Sequence, residues 1–337
     1  MPDLYPQEIT HFHPMRIYAE LCYHDSSHGV KMQVSRRNFL RTSAFALAAL
    51  RSQLWASEHL HLQVGFSTLG CPAWEWGKIL DFAESHNFAA VELRGLQGNM
   101  DLPARPEFQP DRIEQSKREI AAHRLKISCV SSSAQLHDAD PAKHSQQIAD
   151  AKRFIDLASL LGAPNVRVFG NKIEGPKDLV VARIASGLHE LGTYAGPKNV
   201  TVIIESHGDF TNSPILSDIL TRADSPYVGL LWDAHHTFVD GKEDPQFTVQ
   251  QLGKYIRHTH LKDSVPTADG RRYVLTGRGE VPVRKQVEVL AASGYKGCYS
   301  FEWEKAWHPE LEDPEIAIAD FAEFMNKVQS GSAASNR

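Results

Sequence analysis

Four acidic or imidazole-containing clusters stand at the ends of four successive apolar segments of this chain. They are Glu205-Ser206-His207, Asp233-Ala234-His235-His236, His258-Thr259-His260-Leu261-Lys262-Asp263 and Ser300-Phe301-Glu302-Trp303-Glu304. Spacings of 28 and 27 residues separate Glu205, Asp233 and His260, and 42 residues separate His260 from Glu302. Spacings of this order are typical of successive strand–helix units. The clusters are therefore predicted to lie at the carboxyl ends of neighbouring parallel strands.

The charged side chains at these positions are predicted to converge on a cation. Strand side chains alternate between two faces, so Glu205, Asp233, His260 and Glu302 can all point the same way. A single acid at a strand end is more typical of a helix cap or a surface ion pair, but several converging carboxylates repel one another unless a cation lies between them. These four residues are the predicted metal ligands, and Glu304 is the alternative to Glu302. Three oxygen donors and one nitrogen donor favour manganese, with magnesium, cobalt and zinc as alternatives.

The elements that carry these residues alternate between strand and helix. Hydrophobic periodicity predicts eight strand–helix units between His61 and Val328. Eight units over this length match a (β/α)8 TIM barrel of the α/β class, in which function lies in the loops at the carboxyl ends of the strands. We predict one such domain over residues 57–330, with a flexible tail over 331–337. The long connection Ser264–Pro282 is predicted to form a flap over the barrel mouth.

With these elements in place, the motifs resemble a known family. They are Glu205-Ser206-His207, Trp232-Asp233-Ala234-His235-His236, His258–Asp263, Gly277-x-Gly279-Glu280, and Gly294-Tyr295-Lys296-Gly297 leading to Ser300-Phe301-Glu302. Together they resemble the sugar phosphate isomerase/epimerase family, the xylose isomerase-like TIM barrels, from Val64 onward. The resemblance implies the same four metal ligands and a substrate-contacting histidine at His236.

A metal site of this composition suits proton abstraction next to a carbonyl group, because a cation can stabilise the enediolate that forms. Glu205 and Glu302 are the predicted catalytic residues, each moving a proton on one side of the substrate. The predicted activity is that of a divalent-metal-dependent sugar isomerase or epimerase. His236, His207 and Lys262 are the predicted substrate contacts, although Lys262 could instead pair with Asp233 or Glu302.

Three further polar residues near the predicted mouth are interpreted as supporting groups. Glu92 and His137 end or follow the second and third predicted strands and are interpreted as polar lining groups rather than ligands. His258 lies one layer below His260 and is interpreted as a buried core residue.

Other functions fit the same residues to different degrees. A keto-sugar dehydratase or lyase uses the same enolising chemistry, and a catalytically silent sugar-binding module is a further alternative. DNA repair by a related barrel endonuclease is disfavoured, because the net charge is -5 and no basic groove is evident. The predicted partner is therefore a small-molecule carbohydrate and not a nucleic acid. A free or keto sugar is favoured over a phosphorylated one, because no glycine-rich phosphate-binding loop is present.

The amino-terminal segment resembles a twin-arginine export signal. Ser35-Arg36-Arg37-Asn38-Phe39-Leu40 precedes the apolar run 42–50, which is about half the roughly 20 residues needed to span a bilayer. We predict a leader over residues 1–56, cleaved near Ala56, that contributes nothing to the fold, with Met32 as an alternative start. The predicted location is the periplasm, reached through the export machinery. The alternative is an ordinary amphipathic helix on a cytoplasmic protein.

Overall fold

The computed structural model describes residues 61–331, in which eight parallel strands close into a barrel. The barrel strands are β1 Gln63–Ser67, β2 Ala90–Leu93, β3 Lys126–Gln135, β4 Asn165–Phe169, β5 Thr201–Glu205, β6 Val228–Asp233, β7 Ile256–Leu261 and β10 Cys298–Phe301. Around the barrel they follow the order β1-β10-β7-β6-β5-β4-β3-β2. The predicted TIM barrel is therefore confirmed.

Helices follow the strands and cover the outside of the barrel. They are α1 Trp76–Ser85, α2 Ile113–Ala122, α3 Pro141–Leu161, α4 Lys177–Ala195, α5 Ser213–Ala223, α6 Ala234–Val239, α7 Pro245–Leu252, α8 Val283–Ala292 and α9 Pro314–Gln329. Short 3₁₀ turns occur at Thr68–Gly70, Leu102–Ala104, Pro106–Phe108, Gly196–Lys198 and Gly253–Tyr255.

Two elements near the predicted site differ from the sequence prediction. The sequence predicts one helix, Pro245–Tyr255, after β6, whereas a short additional helix, α6, begins immediately at the end of β6. Asp233 caps α6, because its side chain accepts a hydrogen bond from the amide of His236. The sequence predicts a last barrel strand over Gly297–Glu304, whereas the strand ends at Phe301, so Glu302 directly follows it.

The barrel interior is apolar at one level and charged at the level above it. Cys129, Ile203 and Leu231 form a small buried apolar cluster separate from the main core. Because side chains two residues apart share a face, Glu205 follows Ile203, and Asp233 follows Leu231, on the inward side. The apolar cluster therefore forms a floor, and the charged residues stand above it towards the carboxyl ends of the strands.

The predicted flap is a two-stranded antiparallel hairpin, β8 Asp263–Thr267 and β9 Gly270–Val274. The carboxylate of Asp263 accepts hydrogen bonds from the amides of Ser264, Gly277, Gly279 and Val281, at 2.8–3.1 Å. A Cβ atom at residue 279 would lie 2.1 Å from Asp263 Oδ1. Glycine in the Gly-x-Gly-Glu motif therefore permits the close approach that ties the flap to the end of β7.

The predictions made for the leader 1–56 and for most of the carboxyl-terminal tail lie outside the described residues. Within residues 61–331, no helix combines the length and apolarity needed to cross a membrane.

Candidate metal centre

Four side chains from neighbouring strands meet at the barrel mouth. Glu205, Asp233 and His260 lie at or near the carboxyl ends of β5, β6 and β7, and Glu302 follows β10. All four are at most 5% exposed. One ligand atom from each lies within 4.8 Å of the others. The strand-end residues that the sequence predicts as a metal site are thus brought together, and their role as ligands stays a prediction.

The imidazole of His260 lies at the centre of this cluster. Its Nδ1 atom lies 3.1 Å from Glu302 Oε1, 3.5 Å from Glu205 Oε1 and 4.0 Å from Asp233 Oδ2. None of these contacts has hydrogen-bond geometry, and Nδ1 has no hydrogen-bond partner within residues 61–331. A nitrogen lone pair that faces three carboxylates is stabilised only by a proton or a cation between them.

Glu92 on β2 fixes the direction in which His260 points. Its carboxylate lies 2.9–3.0 Å from His260 Nε2 and 2.9 Å from His258 Nε2. Ser131 and Ser300 also donate hydrogen bonds to it, at 2.7 and 3.0 Å. An ionised carboxylate only accepts hydrogen bonds, so Nε2 of His260 carries the proton and Nδ1 is left free for a cation.

The donor set therefore fits a divalent cation. A carboxylate behind a histidine is the usual arrangement that orients a metal-ligating imidazole. Burial opposes charging of the His260 imidazole, but the carboxylates of Glu302, Glu92 and Glu205 raise its pKa well above the ordinary value. A metal at His260 Nδ1 would therefore compete with a proton for this ring nitrogen.

Two buried cations complete the charge pattern. Burial alone would raise the pKa of Glu205, but the ion pair with Arg167 on β4 keeps it well below the ordinary value. Lys262 Nζ lies 2.7 Å from Asp233 Oδ2 and 2.5 Å from Glu302 Oε2. These cations keep the carboxylates ionised at neutral pH.

The structure distinguishes the positions of Glu302 and Glu304. Glu302 lies in the four-residue cluster, whereas Glu304 Oε1 lies 2.8 Å from Lys262 Nζ. The side chain of Glu302 is 6% exposed, and that of Glu304 is 13% exposed. The geometry therefore favours Glu302 as the fourth ligand.

The predicted substrate contacts lie around the same mouth. His236 Nδ1 is 2.9 Å from Asp240 Oδ2, and its Nε2 is 3.5 Å from Asp233 Oδ2. His207 packs with its ring centre 5.0 Å from that of His236, and burial lowers its pKa. Lys262 pairs with both Asp233 and Glu302, which is the alternative to substrate contact predicted from the sequence. Substrate contact by these three residues stays a prediction.

Sequence reasoning missed the parts played by Glu92 and Arg167. The sequence alone suggests a lining role for Glu92 and no role for Arg167. Each interrupts an otherwise apolar strand, Ala90-Val91-Glu92-Leu93 and Asn165-Val166-Arg167-Val168-Phe169. A charged residue in the middle of a buried strand was the signal that could have identified both, because such a residue needs a buried partner. His258, in contrast, was expected to be a buried core residue and is one.

Known protein families include one with the same barrel architecture. A model of the xylose isomerase-like TIM barrel family matches residues 80–328. The chain belongs to this family. An inosose dehydratase of Bacillus cereus (strain AH820) is 28% identical over 177 residues, which cover 46% of this chain and 57% of that protein. The match thus spans little more than half the length of that relative.

Solved structures share the family fold at lower identity. The IolI protein with a bound zinc atom has a TM-score of 0.68 at 18% identity, covering 81% of this chain and 100% of that one. An L-ribulose 3-epimerase has a TM-score of 0.66 at 16% identity, covering 82% and 99% of the two chains. These similarities establish the fold.

Proposed function

We propose that this family member is a divalent-metal-dependent enzyme that removes a proton next to the carbonyl group of a polyhydroxylated substrate. The observation that carries the proposal is the orientation of His260. Its Nδ1 faces Glu205, Asp233 and Glu302, while Glu92 holds its Nε2. Such a set of oxygen and nitrogen donors suits a catalytic cation better than a structural one.

The residues that would hold the ion are Glu205, Asp233, His260 and Glu302. When bound, the divalent ion supplies Lewis-acid stabilisation of the negative charge that develops when the proton leaves. We propose manganese first, because three of the four donors are carboxylates, with magnesium, cobalt and zinc as alternatives. The structure of the IolI protein, which shares this fold, contains a bound zinc atom, and this supports a metal-binding role.

We propose Glu205 and Glu302 as the residues that accept and return the proton. Arg167 and Lys262 keep both carboxylates ionised, which is the form that can accept a proton. Burial would raise the pKa of Glu302, but the charges of His260 and Lys262 lower it, so the same contacts also reduce its basicity. His236, His207 and Lys262 would contact the hydroxyl groups of the substrate.

Two outcomes are compatible with this first step. Return of the proton to another face or to the neighbouring carbon gives the isomerase or epimerase activity predicted from the sequence. Loss of a hydroxyl group from the carbon next to the enolised one gives a dehydratase, which is the alternative that the sequence also allows. The sequence similarity to inosose dehydratases favours the second outcome.

The experiment compares metal-loaded and metal-stripped protein in deuterated water with free monosaccharides, ketoses and inosose. Deuterium in an isomer identifies an isomerase or epimerase, and a product lighter by one water identifies a dehydratase. Deuterium in the recovered substrate alone reports only the proton abstraction that both activities share. Glu205→Gln and Glu302→Gln should each abolish deuterium incorporation, whereas Glu315→Gln, on the exposed face of α9, should not. Metal-independent sugar binding without proton exchange would instead identify a binding module and refute the enzyme.

We also propose export through the twin-arginine pathway, which the Arg36-Arg37 pair supports. Cell fractionation of the full chain tests it, with an Arg36→Lys/Arg37→Lys double variant as the control. Cytoplasmic retention of the unaltered full-length chain would refute it.

A further inference from the structure

A second arginine stands at the barrel mouth and has no acidic partner among residues 61–331. Arg94 directly follows β2, is 8% exposed, and lies two residues beyond Glu92. Its Nη1 donates a hydrogen bond to Ser133 Oγ at 3.0 Å. In the part of the chain that the structure describes, no carboxylate oxygen lies within 4.0 Å of its guanidinium. This pairing differs from that of Arg167, which forms an ion pair with Glu205.

The surroundings of Arg94 place it on the side of the metal cluster. Ser131 donates to Glu92, and Ser133, two residues further along the same strand, accepts from Arg94. The register of β3 is irregular between Ser131 and Gln135, so alternation along the strand does not by itself place Ser133. The buried carboxylates of Glu92, Glu205 and Glu302 all act on the charge of the Arg94 guanidinium, which places it close to them. Ser133 is exposed, whereas Ser131 is fully buried. The guanidinium of Arg94 therefore extends from the neighbourhood of the metal cluster to the hydroxyl group of an exposed serine.

Arg167 adds two further unused donors in the same region. Its Nε and Nη2 atoms are buried and have no hydrogen-bond partner among residues 61–331, although its Nη1 contacts Glu205. Burial and the positive charge of Arg167 together lower the pKa of Arg94 to about 9, although the charges of Glu205, Glu302 and Glu92 act in the opposite direction. The two guanidinium groups therefore repel each other. Arg94 nevertheless stays charged at neutral pH. A buried cation with one neutral hydrogen bond is costly to maintain in a folded protein.

We propose that Arg94, supported by the unused donors of Arg167, binds an anionic oxygen group of the substrate. This inference rests on the proposed function and narrows it: the substrate is a sugar acid or a sugar phosphate, in place of the free or keto sugar that the sequence favours. The planar guanidinium presents paired donors that match a carboxylate or a phosphate. The remainder of the polyhydroxylated substrate would then extend from Arg94 towards His260.

Equilibrium binding to the manganese-loaded full chain tests the proposal without requiring turnover. Isothermal titration uses three probes of similar size: gluconate, glucose 6-phosphate and glucose. The unaltered chain should bind at least one anionic probe more tightly than glucose, by about 10- to 100-fold, which is the range for a hydrogen bond to a charged group. The identity of the preferred anion distinguishes a carboxylate from a phosphate.

Three variants make the result specific to Arg94. Arg94→Gln should remove the preference for the anion while leaving glucose binding unchanged, and Arg94→Lys should retain part of it, because lysine keeps the charge but not the paired donors. Arg222→Gln alters an arginine on α5 that pairs with Asp178 and Asp218, and it should behave as the unaltered chain. Equal binding of all three probes, or an anion preference that survives Arg94→Gln, would overturn the inference.

The binding experiment can refute the anion site at Arg94 without refuting the proposed enzyme activity, and the reverse is also true. Proton exchange with neutral sugars and equal probe binding would leave the enzyme standing and remove the anionic substrate. An anion preference without proton exchange on any sugar, sugar acid or sugar phosphate would support the anion site and refute the proposed enzyme.

Discussion

Glu92 Oε2 lies 2.9 Å from His260 Nε2, although the two residues are 168 positions apart in the chain. Both side chains are fully buried, and the strands that carry them, β2 and β7, are not neighbours in the barrel. The contact therefore crosses the barrel interior. It turns the opposite ring nitrogen of His260 towards Glu205, Asp233 and Glu302.

Replacing Glu92 should weaken metal binding without removing a ligand. Glu92→Gln should lower the affinity for manganese by about 10- to 100-fold, the usual effect of altering a group that orients a metal-bound histidine. Titration calorimetry measures the affinity, and circular dichroism checks that the fold is retained. Glu84→Gln, on the surface of α1, is the matched control. Unchanged affinity would mean that Glu92 does not orient a ligand.

Glu302 and Glu304 should respond differently to loss of charge. Glu302→Gln should reduce the manganese retained after dialysis to below half of the normal content, because it removes a carboxylate from the four-residue cluster. Glu304→Gln should leave the metal content unchanged, because its contact is to Lys262. Elemental analysis of both variants decides between them, and the reverse pattern would identify Glu304 as the ligand.

Metal removal should lower stability by mass action. A free manganese concentration of 100 times the dissociation constant should raise the free energy of unfolding by about 2.7 kcal/mol over the metal-free protein. The Asp233→Asn variant should lose most of this increment. Denaturant unfolding with manganese and with a chelator measures the difference, and an equal increment in the variant would contradict a role for Asp233 in metal binding.

The flap should be sensitive to a single methyl group. Gly279→Ala would place a Cβ atom 2.1 Å from Asp263 Oδ1 and 2.6 Å from Ser264 O. We expect a loss of about 1–3 kcal/mol in the free energy of unfolding and faster amide hydrogen exchange in β8 and β9. Gly77→Ala, in α1 with no atom within 4 Å of the added Cβ, should be neutral or stabilising. Unchanged exchange in the hairpin would contradict the anchoring role of Asp263.

His235 should make the fold less stable in mild acid. Burial, together with the charge of Lys262, lowers the pKa of His235 to about 3. Its contribution to stability is therefore fully present above the unfolded-state pKa of about 6.5 and is lost as the pH falls from there towards 3. At pH 5 the loss is about 2 kcal/mol.

Comparison of the unaltered chain with His235→Gln isolates this contribution. Urea unfolding of both proteins is measured at pH 7.5 and at pH 5. The decrease in unfolding free energy from pH 7.5 to pH 5 should be smaller in the variant. His260 has a raised pKa and changes stability in the opposite direction, but it is present in both proteins. Equal drops would show that His235 is not buried as a neutral ring.

The positions of the predicted ligands could be obtained from the sequence because they depend on local patterns. Apolar alternation identifies the strands, and the spacing of Glu205, Asp233 and His260 places them at matching heights in a regular repeat. Glu92 and Arg167 could not be assigned in the same way. Each is one charge within an apolar strand, and its partner depends on which strands face each other across the closed barrel.

The sequence by itself determined the barrel, the flap and the strand-end acids, because periodicity and spacing are local properties of the chain. Only the tertiary structure decided which nitrogen of His260 faces the carboxylates, that Lys262 pairs with Glu302 and Glu304 together, and that Arg94 has no acidic partner within the described range 61–331. These three properties are set by side chains that approach across the barrel interior. Their distances follow from closure of the sheet, which no short stretch of sequence encodes.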